Sequence, residues 1–397
     1  MNIFANTKEI VEGLGLGGVK WVGVMVGVLS YAGMDLAANV IMFPSRALLG
    51  DLVGREQQHE VQSCAAVIAS LTEIGGSLFV WGLKEPVSRI GEAYLVASFV
   101  MVVTVCVTLV VCKENVGVAE DRGFIGLERG EEEVELKSLE SGEDEAELEV
   151  ESGEKVNTSD TQVCEEVVNS TALPTSGNVA NNDGLIYSIY DLLRSAISTF
   201  PAELCKVGAV YGLAWFCWFC CLPYFSAWMG KEVLSGDPEA PKGSPAAQAY
   251  QKGVNVFAIA NVFKALTALC FSAAYPTMLR FIGKVGERVI FAGTFALFSP
   301  ILYATSGTRS TTLAGLTVAI SSVAFIATQT IPIAIVIQRY SQNVASNLGI
   351  FNLFCAVPQL LDTLYTGLLA EKAGETAVLK IAAAWGVAAA VAAMFLL

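Results

Sequence analysis

The chain has 397 residues and a formal charge of −14, with 54% of its residues hydrophobic and only 16% charged. Soluble domains carry about a quarter charged residues, so this composition, with a mean hydropathy of +0.55, argues against a water-soluble protein. The charge is concentrated, because residues 120–166 contain 18 acidic and 4 basic side chains, which equals the whole net charge of −14. The acidity therefore describes one tract of the chain and gives no information about a ligand.

The titratable and thiol residues do not predict a metal site, a cofactor or an enzyme. The 10 cysteines and the single histidine, His59, show no paired metal-ligand spacing. Cys217, Cys220 and Cys221 fall in an apolar segment, where small soft hydrophobic side chains are the simpler interpretation. Nothing resembles a nucleophile elbow or a nucleic-acid surface, and the N-terminus lacks the cationic start and apolar core of a signal peptide.

Long apolar stretches predict an all-α membrane protein. A hydrocarbon core needs about 20 apolar residues per helix, and we expect about nine such segments from the sequence. They span residues 19–43, 61–83, 92–112, 203–225, 254–275, 288–305, 311–337, 346–369 and 376–397.

The acidic tract divides the nine segments unevenly. We predict a partial N-terminal bundle of three helices in residues 1–114 and a C-terminal bundle of six helices in residues 186–397. Residues 115–185 between them are rich in Glu, Ser, Asn, Val and Gly, which predicts a disordered linker.

Lys and Arg in the loops after the first, fifth and seventh segments place those loops and the linker in the cytoplasm. The sequons at Asn157 and Asn169 are then expected to be unglycosylated. A solvated spacer is the preferred interpretation of the linker, and phosphorylation of its serines is the alternative.

Asp35 is the leading candidate for a proton site. It lies inside the first apolar segment, where an ionised carboxylate is costly unless it faces a wet cavity or a cation. The alternative is that the helix boundary is misjudged and Asp35 lies at the membrane interface.

Two further polar residues follow Asp35 in this segment. Asn39, four residues on, shares the helical face of Asp35. Arg46, eleven residues on, is three turns away, and a bend at Pro44 would aim it at the cavity to bind ionised Asp35 or hydroxyls of a ligand. A cation at the interface is the competing interpretation of Arg46.

Further polar residues lie in the other segments. Glu73 and Lys264 are each half of a possible ion pair, but the sequence assigns neither a partner. Asn352 and Gln359 are candidates for substrate contact or coupling, with hydrogen bonds between helices as the simpler role. Asp362 and Asn261 complete the polar set.

Two loops carry a related charge pattern. GDLVGRE contains Asp51, Gly54 and Arg55 in the D-x-x-G-R arrangement that is typical of cytoplasmic loops in major-facilitator carriers. GKVGER, which starts at Gly283, is a looser version. Charge pairs between helix ends in such loops can latch one access state.

The stretch MDLAANVIMFPSRALLGDL, which ends at Leu52, resembles the fourth helix and following loop of plant sucrose/proton symporters and their animal relatives. That resemblance implies that Asp35 is the proton-coupling carboxylate and Arg46 an arginine essential for transport. The block WMGKEV, with Lys231 and Glu232, is similar to the end of the family's seventh helix and implies an outer gate or a structural ion pair.

Further similarity covers Thr330 to Pro332 and the region of Leu348 to Gln359, which resemble the family's tenth and eleventh helices. The nine segments then correspond to helices four to twelve of a major-facilitator-type bundle, and we expect the first three helices to be absent. Phe225 and Ala227 replace an acidic pair of the family, Lys231 replaces its arginine, and Ala38 replaces one of its asparagines.

The resemblance implies a secondary active transporter that moves sucrose or a related sugar or glycoside with a proton by alternating access. The alternative is a truncated, non-transporting membrane protein or a sugar sensor of the same family. The expected partners are the sugar, protons and the lipid bilayer, with no nucleic acid, and the oligomeric state is left open. We expect a multi-pass protein of the plasma membrane rather than the vacuolar membrane.

Overall fold

The computed structural model describes residues 13, 20–51, 53–83, 89–111, 201–340 and 344–397. Every regular element in these ranges is a helix, which confirms the all-α prediction. At some helical positions, Asp35 and Asn39 among them, only the backbone is described. The predicted linker at residues 115–185 and both sequons lie outside the described residues.

The described ranges contain ten α-helices and three short turns of other helical types. A 3₁₀ turn at Arg55–Gln57 precedes the second helix, a π turn at Met229–Val233 follows the fifth, and a second 3₁₀ turn at Gly283–Val285 follows the sixth. The helices are α1 (Lys20–Asp51), α2 (Gln58–Gly82), α3 (Ile90–Val111), α4 (Ala202–Cys221), α5 (Tyr224–Trp228), α6 (Pro245–Ile282), α7 (Gly286–Thr305), α8 (Thr311–Arg339), α9 (Val344–Phe351) and α10 (Leu353–Leu396).

The chain is an integral, multi-pass membrane protein. Within the described residues, 6 helical stretches are long and apolar enough to cross a bilayer: Gln58–Gly82, Ala202–Val233, Pro245–Ile282, Gly286–Thr305, Thr311–Arg339 and Ser346–Leu396. A shorter apolar stretch, Gly91–Val107, lies in α3. The predicted total of nine spans stays a prediction.

The stretch Ser346–Leu396 reverses direction within its length. At about 1.5 Å per residue, a straight helix of its 51 residues would be more than twice as long as the hydrocarbon core is thick. Gly374, at φ 80°, interrupts the helical geometry. The Trp385 indole donates to the Tyr365 hydroxyl at 3.3 Å, although 20 residues of straight helix would separate them by about 30 Å. The chain therefore folds back at Gly374 and makes two antiparallel passes.

Helices α4 and α10 approach each other closely because glycines line their contact. A Cβ at Gly208 would lie 2.5 Å from the Phe354 ring, and one at Gly212 would lie 3.1 Å from the Phe354 carbonyl oxygen. Gly208 and Gly212 form a G-x-x-x-G pattern, which allows two helix backbones to pack closely where lipid provides no hydrophobic driving force. This contact holds the first pass of α10 against α4.

A second close approach joins α6 to the π turn. A Cβ at Gly253 would lie 2.4 Å from the Cα of Gly230, so it meets backbone that cannot rotate away. We expect Gly253→Ala to destabilise the protein by roughly 1–3 kcal/mol, the usual effect of overpacking. The measurement is the thermal unfolding midpoint of the purified protein in detergent.

Gly293 provides the matched control for this substitution. It lies in α7, and a Cβ there would meet nothing within 4 Å. Because alanine is favoured over glycine in helices by about 1 kcal/mol, Gly293→Ala should leave the midpoint unchanged or raise it. Equal midpoints for the two variants would show that the α6 contact does not limit stability.

Candidate functional site

Arg46 of α1 lies against α2. Its guanidinium donates to Oε1 of Gln62, which is fully buried. It also interacts electrostatically with Tyr211 on α4. The hydrogen bond to Gln62 directs the guanidinium towards a buried side chain, and both interpretations of Arg46 stay predictions. Arg46 therefore links α1 to α2.

Asp35 lies near the middle of α1, and its side chain is outside the described residues. Because α1 continues through Pro44 as a helix, the eleven residues between Asp35 and Arg46 span about 16 Å along the axis. That separation exceeds the combined reach of the two side chains. Of the two predicted roles for Arg46, contact with a ligand is more compatible with the backbone than direct pairing with Asp35.

Aromatic rings form a continuous group across α4, α8 and α9, here called the aromatic wall. Tyr211 stacks on Phe351 at 4.6 Å between centroids, and its edge meets Trp215 at 5.9 Å. Trp215 stacks on Phe219 at 5.0 Å and meets Phe325 edge-on at 6.5 Å. The wall thus consists of side chains from α4, α8 and α9: Tyr211, Trp215, Phe219, Phe325 and Phe351.

Several polar atoms of the wall, or of residues one or four positions along the chain from a wall residue, are buried without a hydrogen-bond partner among the described residues. They are the Tyr211 hydroxyl, Nε1 of Trp215, Oε1 of Gln329 and Oδ1 of Asn352. The Trp215 indole lies near the Tyr211 hydroxyl but does not reach hydrogen-bond geometry. Buried polar groups are normally paired. The site therefore offers ring faces that can contact the apolar faces of a ligand. It also offers unpaired donors and acceptors that can bind the ligand's hydroxyls.

Lys264 and Glu73 form an ion pair inside the membrane region. Nζ of Lys264 on α6 lies 2.6 Å from Oε1 of Glu73 on α2. The lysine side chain is 7% exposed and the glutamate side chain 32%. The same Nζ lies 5.1 Å from the Phe325 ring centroid, so the pair adjoins the aromatic wall. The two residues that the sequence left without partners are thus partners of each other.

A second polar cluster lies where α2 and α7 begin and α8 ends, at the side predicted to be cytoplasmic. Nε2 of His59 lies 2.8 Å from Oε1 of Glu287, and its Nδ1 lies 2.9 Å from the Tyr275 hydroxyl. Arg339 donates to the other oxygen of Glu287 at 3.2 Å. His59 precedes the predicted segment 61–83 by two residues and lies buried in the first turn of α2. We call these four residues the helix-end cluster.

The predicted loop signature lies directly before the helix-end cluster. Gly54 caps the 3₁₀ turn, and its carbonyl oxygen accepts from the Gln57 amide at 3.0 Å. The side chains of Asp51 and Arg55 lie outside the described residues. Glu287 of the GKVGER loop, by contrast, connects α2 to α8, and Arg280 adds a pair with Glu60 at 2.7 Å. Charge pairs between helix ends, as predicted for these loops, are therefore present here.

Removal of the Glu287 charge should loosen the helix-end cluster. Because Glu287→Gln weakens two charge-assisted hydrogen bonds of about 1.5 kcal/mol or more each, we expect roughly tenfold or faster backbone hydrogen exchange at residues 58–62 and 286–290. Hydrogen–deuterium exchange with mass spectrometry measures this change. Glu371→Gln is the control, since Glu371 is exposed and far along the chain from both segments. Unchanged exchange in Glu287→Gln would exclude a latch at this position.

Lys231 and Glu232 lie in the π turn after α5. Lys231 pairs with Glu375 at 2.6 Å, and the Glu375 side chain is 5% exposed. The Glu232 carboxylate packs against Gly374, where an added Cβ would lie 2.4 Å from it. Both contacts hold the turn of α10 against the end of α5. They fit the predicted structural ion pair better than a gate, because all of these residues belong to the C-terminal helices.

The remaining predicted residues lie on α10 or just before it. Asn352 caps α10, and Gln359 is half-buried, with its carbonyl oxygen accepting from Thr363 at 2.7 Å. Asp362, to which the sequence analysis gave no special role, is 1% exposed and hydrogen-bonded to Tyr365. Within the ranges that the structure describes, no three His, Cys, Asp or Glu side chains meet as a metal site.

Sequence reasoning missed the aromatic wall and the helix-end cluster. Tyr211, Trp215 and Phe219 recur at four-residue intervals, so one helical face of rings could be read from the sequence. The positions of Phe325 and Phe351 opposite that face depend on how the helices pack and carry no such signal.

No protein-family model matches the chain. It is 24% identical to sucrose transport protein SUT1 of Oryza sativa subsp. japonica over 291 residues, which cover 69% of this chain and 43% of that protein. It is 26% identical to sucrose transport protein SUT4 of Oryza sativa subsp. indica over 258 residues, 60% of this chain and 41% of that protein.

A third relative is sucrose transport protein SUC3 of Arabidopsis thaliana, which is 22% identical over 310 residues, 71% of this chain and 48% of that protein. The chain thus spans less than half the length of these relatives. They are transport proteins, in agreement with the expectation that the chain is not an enzyme. The low but extended identity, together with the helical membrane bundle, supports a relationship of this chain to the sucrose transporters of the major-facilitator type.

Proposed function

We propose that this chain belongs to a secondary active carrier that moves sucrose or a related sugar or glycoside together with a proton by alternating access. The similarity to plant sucrose transport proteins carries the proposal. The multi-pass bundle supports it, since carriers of this type hold their substrate between helices near the middle of the bilayer. We propose the plasma membrane rather than the vacuolar membrane as its location.

The aromatic wall is the proposed contact surface for the sugar. A pyranose ring presents C–H groups on its faces and hydroxyls at its rim, so it can stack on Trp215 or Tyr211 while it hydrogen-bonds at their edges. The unpaired atoms of Gln329 and Asn352 would serve those hydroxyls. These atoms are out of contact with solvent in the described conformation. The wall must therefore open before a sugar binds.

Arg46 is the proposed polar anchor for the sugar. Its guanidinium has five donors in a fixed plane, and Gln62 occupies only one of them in the described contacts. Arg46 is close enough to Tyr211 for an electrostatic interaction, so we place its remaining donors on the side of the wall. The N-terminal helices would thus contribute a cation, and the C-terminal helices the ring faces.

Asp35 is the proposed proton site and acts apart from Arg46. A carboxyl group in the middle of a membrane helix has a high free-energy cost when it is ionised and a much lower one when it is protonated. Protonation would therefore accompany the change of access state. Rocking of the two groups of helices would stretch the pairs that join α2 to α6 and α7, namely Lys264–Glu73 and His59–Glu287.

The test is sugar uptake by the whole chain reconstituted into proteoliposomes. Radiolabelled sucrose, maltose, a phenyl glucoside and mannitol are compared, with and without an inward proton gradient and with a protonophore. We expect saturable uptake of at least one glycoside that the gradient stimulates and the protonophore abolishes, with mannitol excluded. Saturable binding without flux would overturn the proposal and favour the alternative of a sensor or a non-transporting relative.

A further inference from the structure

Asp362 lies in the closely packed contact between α4 and α10. Phe354, Pro358 and Asp362 follow at four-residue intervals on α10, and the first two pack on Gly208 and Gly212 of α4. The same interval brings Asp362 to Cys220, whose Sγ lies 3.6 Å from Oδ1 of the carboxyl group. The contact therefore excludes both lipid and water from Asp362, which is 1% exposed.

The carboxyl group of Asp362 is only half satisfied. Oδ1 accepts from the Tyr365 hydroxyl as well as contacting Cys220. Oδ2 is buried and has no hydrogen-bond partner among the described residues. The titratable groups that face it are Cys220 and Cys221 from α4 and Tyr365 from its own helix. In the part of the chain that the structure describes, no Lys, Arg or His lies within ion-pair distance of Asp362.

This environment favours a neutral acid over an anion. An ionised carboxylate in the membrane interior needs a cation or several hydrogen-bond donors, and removal from water without them costs several kcal/mol. A proton on Oδ2 removes the charge and leaves the two contacts of Oδ1 intact. Burial of an unpaired neutral hydroxyl group costs far less free energy than burial of an unpaired charge.

Tyr365 provides a route for that proton. Its hydroxyl donates to Asp362 and accepts from Nε1 of Trp385 at 3.3 Å. The Tyr365 side chain is partly exposed, whereas Asp362 is not. Tyr365 is thus a hydrogen-bond partner of Asp362 that also reaches the surface of the helix bundle.

We propose that Asp362 is a second proton-binding carboxyl of this protein, distinct from Asp35, and that its proton enters and leaves past Tyr365. In this step the carboxylate takes one proton from water to form the acid and returns it to water, with no other bond changed. The inference rests on the proposed proton-coupled transport for its role, but its chemistry can be measured without sugar.

Infrared difference spectroscopy of the purified chain in nanodiscs tests the proposal. The spectra are recorded in an Asp35→Asn background, because Asp35 is the other proposed proton site, and each further variant is made in that background. Across the acidic to alkaline range they should show a carbonyl band of a protonated, buried carboxylic acid that disappears as the pH rises. Asp362→Asn should remove that band, and Tyr365→Phe should shift it because a hydrogen bond to the carboxyl group is lost. Glu371→Gln, at an exposed position, should leave the band in place.

Two results would overturn the proposal. A band that persists in Asp362→Asn would belong to another group, and a band of constant amplitude at every pH would show a permanently neutral structural acid. If Asp362→Asn fails to fold, the shift in Tyr365→Phe decides the assignment, since that variant keeps the carboxyl group. A pH-dependent band without sugar uptake would disprove only the proposed transport function, whereas uptake without the band would disprove only this inference.

Discussion

Asp35→Asn is expected to abolish the stimulation of sugar uptake by a proton gradient while sugar counterflow continues. Asp35 lies about 15 residues from either end of α1, or about 22 Å along the axis, which is more than half the thickness of the hydrocarbon core. Asparagine matches the neutral acid in shape but cannot release a proton. Gradient-driven uptake should therefore fall by about tenfold or more, equivalent to at least 1.4 kcal/mol. Exchange of labelled for unlabelled sugar should continue, because it needs no net proton movement.

The comparison needs a carboxylate that takes no part in transport. Glu371→Gln removes one negative charge from an exposed position near the turn of α10 and should leave both uptake and counterflow unchanged. Retained stimulation in Asp35→Asn, at an expression level equal to that of the control, would remove Asp35 from the coupling mechanism.

Glu73→Gln should destabilise the protein more than Lys264→Met does. The side chain of Lys264 is 7% exposed whereas that of Glu73 is 32% exposed, so the first change leaves a charge that is enclosed by protein and the second leaves one that is partly open. An ion pair broken in this way typically costs about 3–5 kcal/mol when the remaining charge is buried. Phe325 compensates only part of the loss, because a cation–π contact contributes about 1–2 kcal/mol.

The double variant separates lost pairing from lost packing. Glu73→Gln combined with Lys264→Met has no stranded charge and should recover most of the thermal unfolding midpoint, since replacement of a buried pair by uncharged groups is often close to neutral. Additive losses in the double variant, or equal losses in the two single variants, would contradict a mutually dependent pair at this position.

The positions of the helices were largely predictable from the sequence. The predicted segments 203–225 and 311–337 correspond to α4 with α5 and to α8, because a bilayer demands long apolar stretches and little else determines them. The lengths of the helices were less predictable from the sequence. The predicted segment 254–275 corresponds to α6, which extends well beyond it at both ends to Pro245 and Ile282, since polar helix ends outside the hydrocarbon core leave no hydropathy signal.

The contacts between helices were mostly not predictable. Glu73 and Lys264 were recognisable as costly charges, but their pairing joins residues 191 positions apart and depends on how α2 packs on α6. Asp362 was visible in the sequence as an intramembrane carboxylate. Its lack of a cation partner is a property of the packed helices α4 and α10.

The central claim is that sugar and protons move together. The most direct test is the internal pH of proteoliposomes that contain the unmodified chain, recorded with a trapped dye when sucrose or another transported glycoside is added outside. We expect the interior to acidify on addition of the glycoside, in proportion to the sugar taken up, and not on addition of mannitol. Sugar entry without any change of internal pH would contradict proton coupling.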